Sequence, residues 1–165
     1  MWYDEAGKRR TSVDEKSICG LFDQFRPLSN FHVCPVHFGG LKYMSSEAAY
    51  MACKTLDPQV KNKFTGDLKP NQAKVLGREI QLRSDWESYK VLAMTKVLTA
   101  KFVQNNDLGD LLVSTGERYI EETNDWNDKF WGADVFGAGD NMLGNVLMHV
   151  RCVVNVIRAN RKFYD

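Results

Sequence analysis

Repeated helix-start signals constrain the fold of this chain more than any other feature of its sequence. Ser45 or Ser46 precedes a helical pattern, and serine hydroxyls commonly cap helix N-termini. Pro70 suits the first turn of a helix, and Ser84 with Glu87 has the spacing of a capping box. The predicted helices cover residues 46–54, 70–82, 84–103, 107–114 and 141–159. Helices therefore dominate the predicted fold.

A smaller β component precedes these helices. Residues 17–22 are typical of a short strand, and residues 31–43 of a hairpin, because Gly39-Gly40 supplies the positive φ of a tight turn. We expect a compact, mostly helical α+β fold in a single domain with a small hairpin and sheet component. The charged residues 1–16 are interpreted as a flexible N-terminal arm, and residues 17–165 as the domain.

Composition and charge exclude several classes of protein. A hydrophobic content of 44% in 165 residues fits one folded domain and argues against disorder. The net charge of +1 gives no general attraction to nucleic acid, and no apolar run approaches the ~20 residues of a membrane span. Without a Cys-x-x-Cys pair or a secretory signal, the cysteines indicate reduced thiols in a cytoplasmic protein. His32, Cys34 and His37 lack a fourth ligand, so neither a metal nor a cofactor is predicted.

The segment from Asn124 to Asn141 does not fit the helical pattern. It carries four aromatic residues and three glycines, and a connection of this length in a compact domain is usually functional when it is ordered. Its aromatic rings could cover the core or form a platform for a flat base. Gly132 beside Trp131 would let a ligand approach the backbone, and Asp128 is either a solvated side chain or an acid or base near the platform.

Glu47 and Lys90 are the two ionisable residues whose helical positions stand out. In a first turn, helix amides favour the ionised form of Glu47, which could stabilise positive charge in a pocket or simply suit its helix. Lys90 shares an apolar helical stripe with Trp86 and Met94. Its side chain could snorkel to water and act as a cation, or be desolvated and become a nucleophile.

These segments together resemble the NADAR family, also described as YbiA-like. The resemblance spans about residues 20–158 and rests on several ordered motifs at compatible spacing. They are Leu28-Ser29-Asn30-Phe31, Ser46-Glu47 with Lys54, Arg83-Ser84-Asp85-Trp86 with Lys90 and Met94, Lys101-Phe102, Thr115-Gly116, Glu121, Asp128-Lys129-Phe130-Trp131-Gly132, and Asn141-Met142-Leu143-Gly144 with Arg151. One departure is that Ala48 and Met51 stand where the family often has His and Gln, which affects recognition of the base.

The resemblance implies an N-glycosidase that separates a ribosyl, phosphoribosyl or ADP-ribosyl group from a base. The substrate would be ADP-ribosylated guanine, free or in DNA or RNA, or a ribosylamino-pyrimidine phosphate of riboflavin biosynthesis. A non-catalytic module that binds ADP-ribose or an NAD derivative is the alternative of another class. The implied catalytic residues are Glu47, Lys90 and Asp128, and the implied substrate-binding residues are Asn30, Phe31, Lys54, Trp86, Trp131, Gly132, Asn141 and Arg151.

Overall fold

The computed structural model describes residues 12–161, which form six helices, five short strands and one 3-10 helix. The strands are β1 Ser12–Val13, β2 Ser17–Cys19, β3 Val33–Phe38, β4 Leu41–Ser45 and β5 Tyr119–Glu121. The helices are α1 Ser46–Ala52, α2 Pro58–Asn62, α3 Pro70–Glu79, α4 Trp86–Gln104, α5 Asn106–Ser114 and α6 Met142–Arg161, and the 3-10 helix spans Asp23–Leu28. The predicted mostly helical α+β class is confirmed.

The hairpin and the helix that follows it form as their local signals predict. Gly39 and Gly40 adopt φ values of +58° and +79° between β3 and β4, which pair antiparallel. Ser45 ends β4 and caps α1, because its hydroxyl accepts a hydrogen bond of 3.1 Å from the Ala48 amide. The hairpin therefore leads directly into α1 and places Glu47 in its first turn.

A second sheet joins distant parts of the chain. Its strand order is β1-β2-β5, with β1 antiparallel and β5 parallel to β2. Ser12 and Val13 of the predicted N-terminal arm pair with β2, while residues 1–11 lie outside the described residues. The sequence analysis did not predict β5, since its partner β2 lies about 100 residues earlier in the chain.

Helices α4 and α6 form the centre of the molecule. They pack against each other and bury Val97, Leu98, Leu147 and Val150, while α1, α5 and β3 contact α4. By length and composition alone, Met142–Asn160 could cross a membrane. Helices at the core of a folded protein are often as long and as apolar, and the inner face of this helix belongs to the core.

The predicted capping box at the start of α4 is wrong. The helix begins at Trp86 with Asp85 at the capping position, one residue later than the box requires. The Asp85 carboxylate makes no cap, because it accepts two hydrogen bonds of 2.5 and 2.9 Å from the Arg83 guanidinium. Pairing between these neighbours replaced the expected side-chain cap, and Ser84 lies in the preceding turn.

Candidate active site

A cavity of about 910 Å³ opens between α1, α3, α4 and two connecting segments. One segment is the end of the 3-10 helix with the following turn, and the other is the aromatic stretch after β5. Charged side chains of both signs line the cavity beside aromatic rings. The charged lining residues are Arg26, Glu47, Lys54, Lys74, Arg78, Glu87, Lys90, Glu122 and Asp128.

Glu47 is the buried carboxyl of this cavity. Only 5% of the residue is exposed, and burial raises its pKa to about 7 against the opposing effects of Lys74, Lys54 and Arg78. Loss of hydration therefore outweighs the helix amides, which favour the ionised form of this carboxyl. A carboxyl with this pKa can change its protonation state near neutral pH.

A tight turn over residues 29–31 fixes Glu47 from the opposite side. The Asn30 carbonyl accepts hydrogen bonds from the Glu47 amide at 3.2 Å and from the Ser46 hydroxyl at 3.4 Å. The Asn30 amide group lies at the cavity, where its nitrogen donates to the Met94 sulfur at 3.3 Å. Its Oδ1 is buried and has no partner among residues 12–161, so it remains able to accept a hydrogen bond from a ligand.

A buried lysine supports the same turn. Lys101 is fully buried in α4, and its ammonium donates a hydrogen bond of 2.8 Å to the Ser29 carbonyl. Burial lowers its pKa to about 8. Sequence analysis recognised Lys101 only as part of a motif, because periodicity alone does not separate a buried lysine from a solvated one.

Aromatic rings form one wall of the cavity. Tyr50 lies between Trp86 and Trp131, with ring centroids 5.3 and 5.6 Å away, and Phe130 meets Trp131 edge-on at 5.0 Å. Trp126 also lines the cavity and is 56% exposed. The wall thus combines braced rings with one ring at the solvent edge.

Asp128 is held by hydrogen bonds within the aromatic segment. Its Oδ1 accepts from the Trp131 amide at 2.9 Å, and its own amide donates to the Asn124 side chain at 3.0 Å. The buried Asn124 side chain also donates to the Asp128 carbonyl at 2.8 Å, so one side-chain amide holds the backbone of the loop at Asp128 on both sides. This bracing explains why a segment without helix or strand presents Asp128 and Trp131 in an ordered arrangement.

Lys90 lies at the cavity as a paired cation. Its ammonium donates to the Glu87 carboxylate at 2.6 Å and lies 4.0 Å from the centroid of the Phe130 ring. Both neighbours stabilise a positive charge. The geometry favours the alternative in which Lys90 acts as a cation over the one in which it is a neutral nucleophile.

Eight of the eleven predicted site residues line the cavity, and the other three do not. The exceptions are Gly132, Asn141 and Arg151. The Asn141 amide nitrogen donates to the Tyr119 hydroxyl and the Ile120 carbonyl, both at 2.8 Å, so its binding capacity is used within the fold. The Arg151 guanidinium donates to the Thr115 hydroxyl at 2.9 Å and to the Arg118 carbonyl at 2.8 Å.

Gly132 likewise serves the packing of the chain. A Cβ atom at this position would overlap the Glu122 carbonyl oxygen. The Gly132 carbonyl accepts a hydrogen bond of 3.2 Å from the backbone amide of Asn141. The expectation that this glycine brings backbone to a ligand is therefore not supported. Gly132, Asn141 and Arg151 belong to the same sequence motifs as residues that line the cavity, so the motifs alone do not tell the two kinds of position apart.

Three cavity cations were not predicted from the sequence, namely Arg26, Lys74 and Arg78. Lys74 and Arg78 lie on α3, whose charged residues are typical of any solvated helical face. Their position at the cavity depends on how α3 packs against α1, which no local pattern reveals. Within the described part of the chain, no group of three His, Cys, Asp or Glu residues is arranged to hold a metal ion.

The chain is similar to known proteins in both sequence and fold. A family model described as the NADAR domain matches residues 14–154. The NMR structure of the Escherichia coli protein YbiA is similar to the present structure, with a TM-score of 0.78, 31% identity and coverage of 90% of both chains.

Several proteins that are similar in sequence to this chain are named as enzymes. N-glycosidase YbiA of Escherichia coli is 35% identical over 131 residues, which are 78% of this chain and 81% of that protein. An N-glycosidase of Nostoc punctiforme is 33% identical over 80% of this chain and 83% of its own length. A riboflavin biosynthesis protein of Vibrio vulnificus is 36% identical over 75% of this chain but only 34% of its own length. These similarities place the chain among hydrolases that act on N-glycosyl compounds, and it belongs to the NADAR family.

Proposed function

We propose that this chain hydrolyses the N-glycosidic bond between a base and a ribosyl group that carries phosphate, with ADP-ribose attached to guanine as the first candidate. The observation that carries the proposal is the buried Glu47 carboxyl at a cavity that also has an aromatic wall. A cavity of about 910 Å³ lies near the upper end of the ~300–1,000 Å³ typical of small-molecule sites, which favours the larger of the candidate substrates.

Glu47 would act in its ionised form. Cleavage of a glycosidic bond passes through a transition state with oxocarbenium character, so positive charge develops at the anomeric carbon. A carboxylate in a poorly hydrated site stabilises that charge more strongly than it would in water. The electron pair of the broken bond leaves with the base, which takes up a proton. A water molecule adds its oxygen to the anomeric carbon and gives up a proton, so a hydroxyl group replaces the base.

Asp128 is the proposed acid–base group. One carboxylate oxygen is held by the Trp131 amide, and the other is available to take a proton from water or to deliver one to the departing base. The same hydrogen bond joins Asp128 to the backbone of Trp131, the residue whose ring would stack on the base. Stacking on Trp131 would contribute roughly 1–3 kcal/mol to binding.

A ribosylamino-pyrimidine phosphate is the second candidate substrate. It is favoured by the similarity to the riboflavin biosynthesis protein of Vibrio vulnificus. Both candidates use the same bond chemistry and differ in the size of the base and of the phosphate-bearing group. Ala48 and Met51 give α1 an apolar surface where the family often has polar residues, and Met51 lines the cavity.

The decisive experiment is to incubate the chain with DNA that carries ADP-ribosyl guanine and, separately, with the ribosylamino-pyrimidine phosphate. Released base and sugar are identified by mass spectrometry, with Glu47→Gln as the inactive comparison. We expect release of ADP-ribose and unmodified guanine by the wild-type chain. Tight binding of ADP-ribose without any product from either substrate would instead indicate the non-catalytic binding module.

A further inference from the structure

We infer that one end of the cavity is a subsite for the phosphate oxygens of the substrate, formed by Lys54, Lys74 and Arg78. These three residues are called the α3 cation cluster below. The inference rests on the proposed function, since it states where the phosphate-bearing side of an N-ribosyl substrate lies. Its ligand chemistry is a phosphate oxyanion, supplied either by a ribose 5-phosphate or by the diphosphate of ADP-ribose.

Two of the three cations share one face of α3. Lys74 and Arg78 are four residues apart on α3, so their side chains share a face, and both line the cavity. Lys54 follows α1, and its ammonium donates a hydrogen bond of 3.0 Å to the Gly77 carbonyl of α3. This bond brings a third cation to the same turn of the helix.

Close packing of α1 on α3 keeps the cluster beside the reacting centre. A Cβ atom at Gly77 would overlap the Met51 side chain, so glycine lets the two helices approach closely without displacing that side chain. Lys74, Lys54 and Arg78 are near enough to Glu47 to oppose the effect of burial on its pKa. All four side chains line the same cavity, so a phosphate bound by the cluster would share that cavity with Glu47.

The positive charge of the cluster has little compensation in the free protein. Among residues 12–161, neither Lys74 nor Arg78 makes an ion pair within 4.0 Å, whereas Lys90 pairs with Glu87. The buried carboxyl that interacts electrostatically with all three cations is Glu47. Three cations against one carboxyl form a site that favours an anion.

The remaining lining residues then give the substrate a direction. The aromatic wall that includes Phe130 and Trp131 is suited to the base, and Glu47 with Asp128 to the bond between base and sugar. The α3 cation cluster takes the phosphate at the far side of the sugar. Recognition of phosphate and of base is thereby assigned to separate elements of the fold.

The test compares paired substrates that differ only in phosphate. The kcat/KM of the wild-type chain, of Lys74→Ala/Arg78→Ala and of a control Lys42→Ala/Lys63→Ala is measured on a phosphorylated N-ribosyl substrate and on its dephosphorylated form. The control removes two exposed cations outside the cavity and so changes the net charge equally. We expect the wild type and the control to prefer the phosphorylated substrate at least tenfold. The cavity variant should lose most of this preference, chiefly through KM.

Three further outcomes are distinguishable. An unchanged preference in the cavity variant, or a wild type that cleaves both substrates equally well, would overturn the subsite while leaving N-glycosidic cleavage intact. If no substrate is cleaved, the proposed function fails and calorimetric titration decides the subsite on its own. Ribose 5-phosphate and ADP-ribose should each bind the wild type and bind the cavity variant at least tenfold more weakly, and their relative affinities separate a monophosphate from a diphosphate site. Equal binding to both proteins would overturn the inference.

Discussion

At the scale of single residues, the chemistry of Glu47 is set by its burial. Its pKa of about 7 means that the ionised fraction grows as pH rises through neutrality. If the carboxylate stabilises the oxocarbenium charge, kcat/KM should rise tenfold per pH unit below pH 7 and level off above it. Glu47→Gln should lower kcat at least a hundredfold and remove this acidic limb. Steady-state rates between pH 5 and 9 measure both effects.

The matched control for this variant is Glu79→Gln, an exposed carboxyl on α3 that does not line the cavity. It should keep the wild-type rate and the wild-type pH profile. If the kcat/KM of the wild type instead falls as pH rises through 7, the protonated form of Glu47 is the active one, and Glu47 acts as a proton donor. Near-normal turnover by Glu47→Gln would contradict any catalytic role.

Lys90 offers a second prediction at this scale. Because Glu87 and the Phe130 ring stabilise its ammonium form, we expect it to bind substrate as a cation and not to attack the sugar. Borohydride added during turnover should then trap no adduct on the peptide that contains Lys90. Lys90→Arg, which keeps the charge, should retain more activity than Lys90→Met. A trapped adduct of ribosyl mass at Lys90 would establish the covalent alternative.

Sequence reasoning selects a residue where the residue type itself carries the chemistry. Glu47, Asp128 and Trp131 were predicted by position and type, and all three line the cavity. Lys74 and Arg78 could not be predicted, since an exposed helical face has the same residues whether or not it borders a cavity. Asn141 shows the reverse case, because it was predicted to bind substrate and instead donates its side-chain hydrogen bonds to Tyr119 and Ile120 within the fold.

At the scale of elements, local signals predicted helices and turns, and non-local pairing escaped prediction. The glycine turn between β3 and β4 and the Ser45 cap act within a few residues, so their sequence pattern suffices. Strand β5 forms only because β2 lies beside it in the fold. The start of α4 was misplaced for a local reason, since Arg83 claims the carboxylate that could have capped it.

The junction between β5 and α6 depends on one side chain. Asn141 is buried immediately before α6 and adopts a φ of +47°. Its side chain donates to the Ile120 carbonyl of β5 and accepts from the Glu122 amide. Asn141→Gly keeps that backbone conformation but loses the bonds, so the free energy of unfolding should fall by about 1–3 kcal/mol. Asn141→Ala should lose more, because alanine is strained at positive φ. Urea unfolding measures both changes.

The same variants separate a structural role from substrate contact. At a temperature where Asn141→Gly remains folded, its KM should lie within about twofold of the wild-type value, since the side chain does not line the cavity. Asn145→Ala, an exposed position one turn further along α6, should change neither stability nor KM appreciably. A large rise in KM at unchanged stability would restore Asn141 to the binding site.

At the scale of the whole molecule, the cavity is built at a cost in stability. In the folded chain, burial raises the pKa of Glu47 from 4.5 to about 7, so the folded state retains a proton that the unfolded state releases between these pH values. The stabilisation from Glu47 is therefore complete below pH 4.5 and is lost as pH rises through 7. Lys101 acts in another window, because its folded pKa is lowered from 10.5 to about 8 and stability rises with pH between those values.

Removing the buried charge should therefore make the protein more stable and less active. Glu47→Gln has nearly the shape of the protonated acid, so near pH 4 its free energy of unfolding should equal that of the wild type. At pH 8 the wild type holds an ionised buried carboxylate, and the variant should be more stable by up to about 3 kcal/mol. Urea unfolding of both proteins at the two pH values measures this difference, with Glu79→Gln as the exposed control that should show no comparable gain. If Glu47→Gln is no more stable than the wild type at pH 8, the ionised Glu47 carboxylate does not destabilise the folded chain.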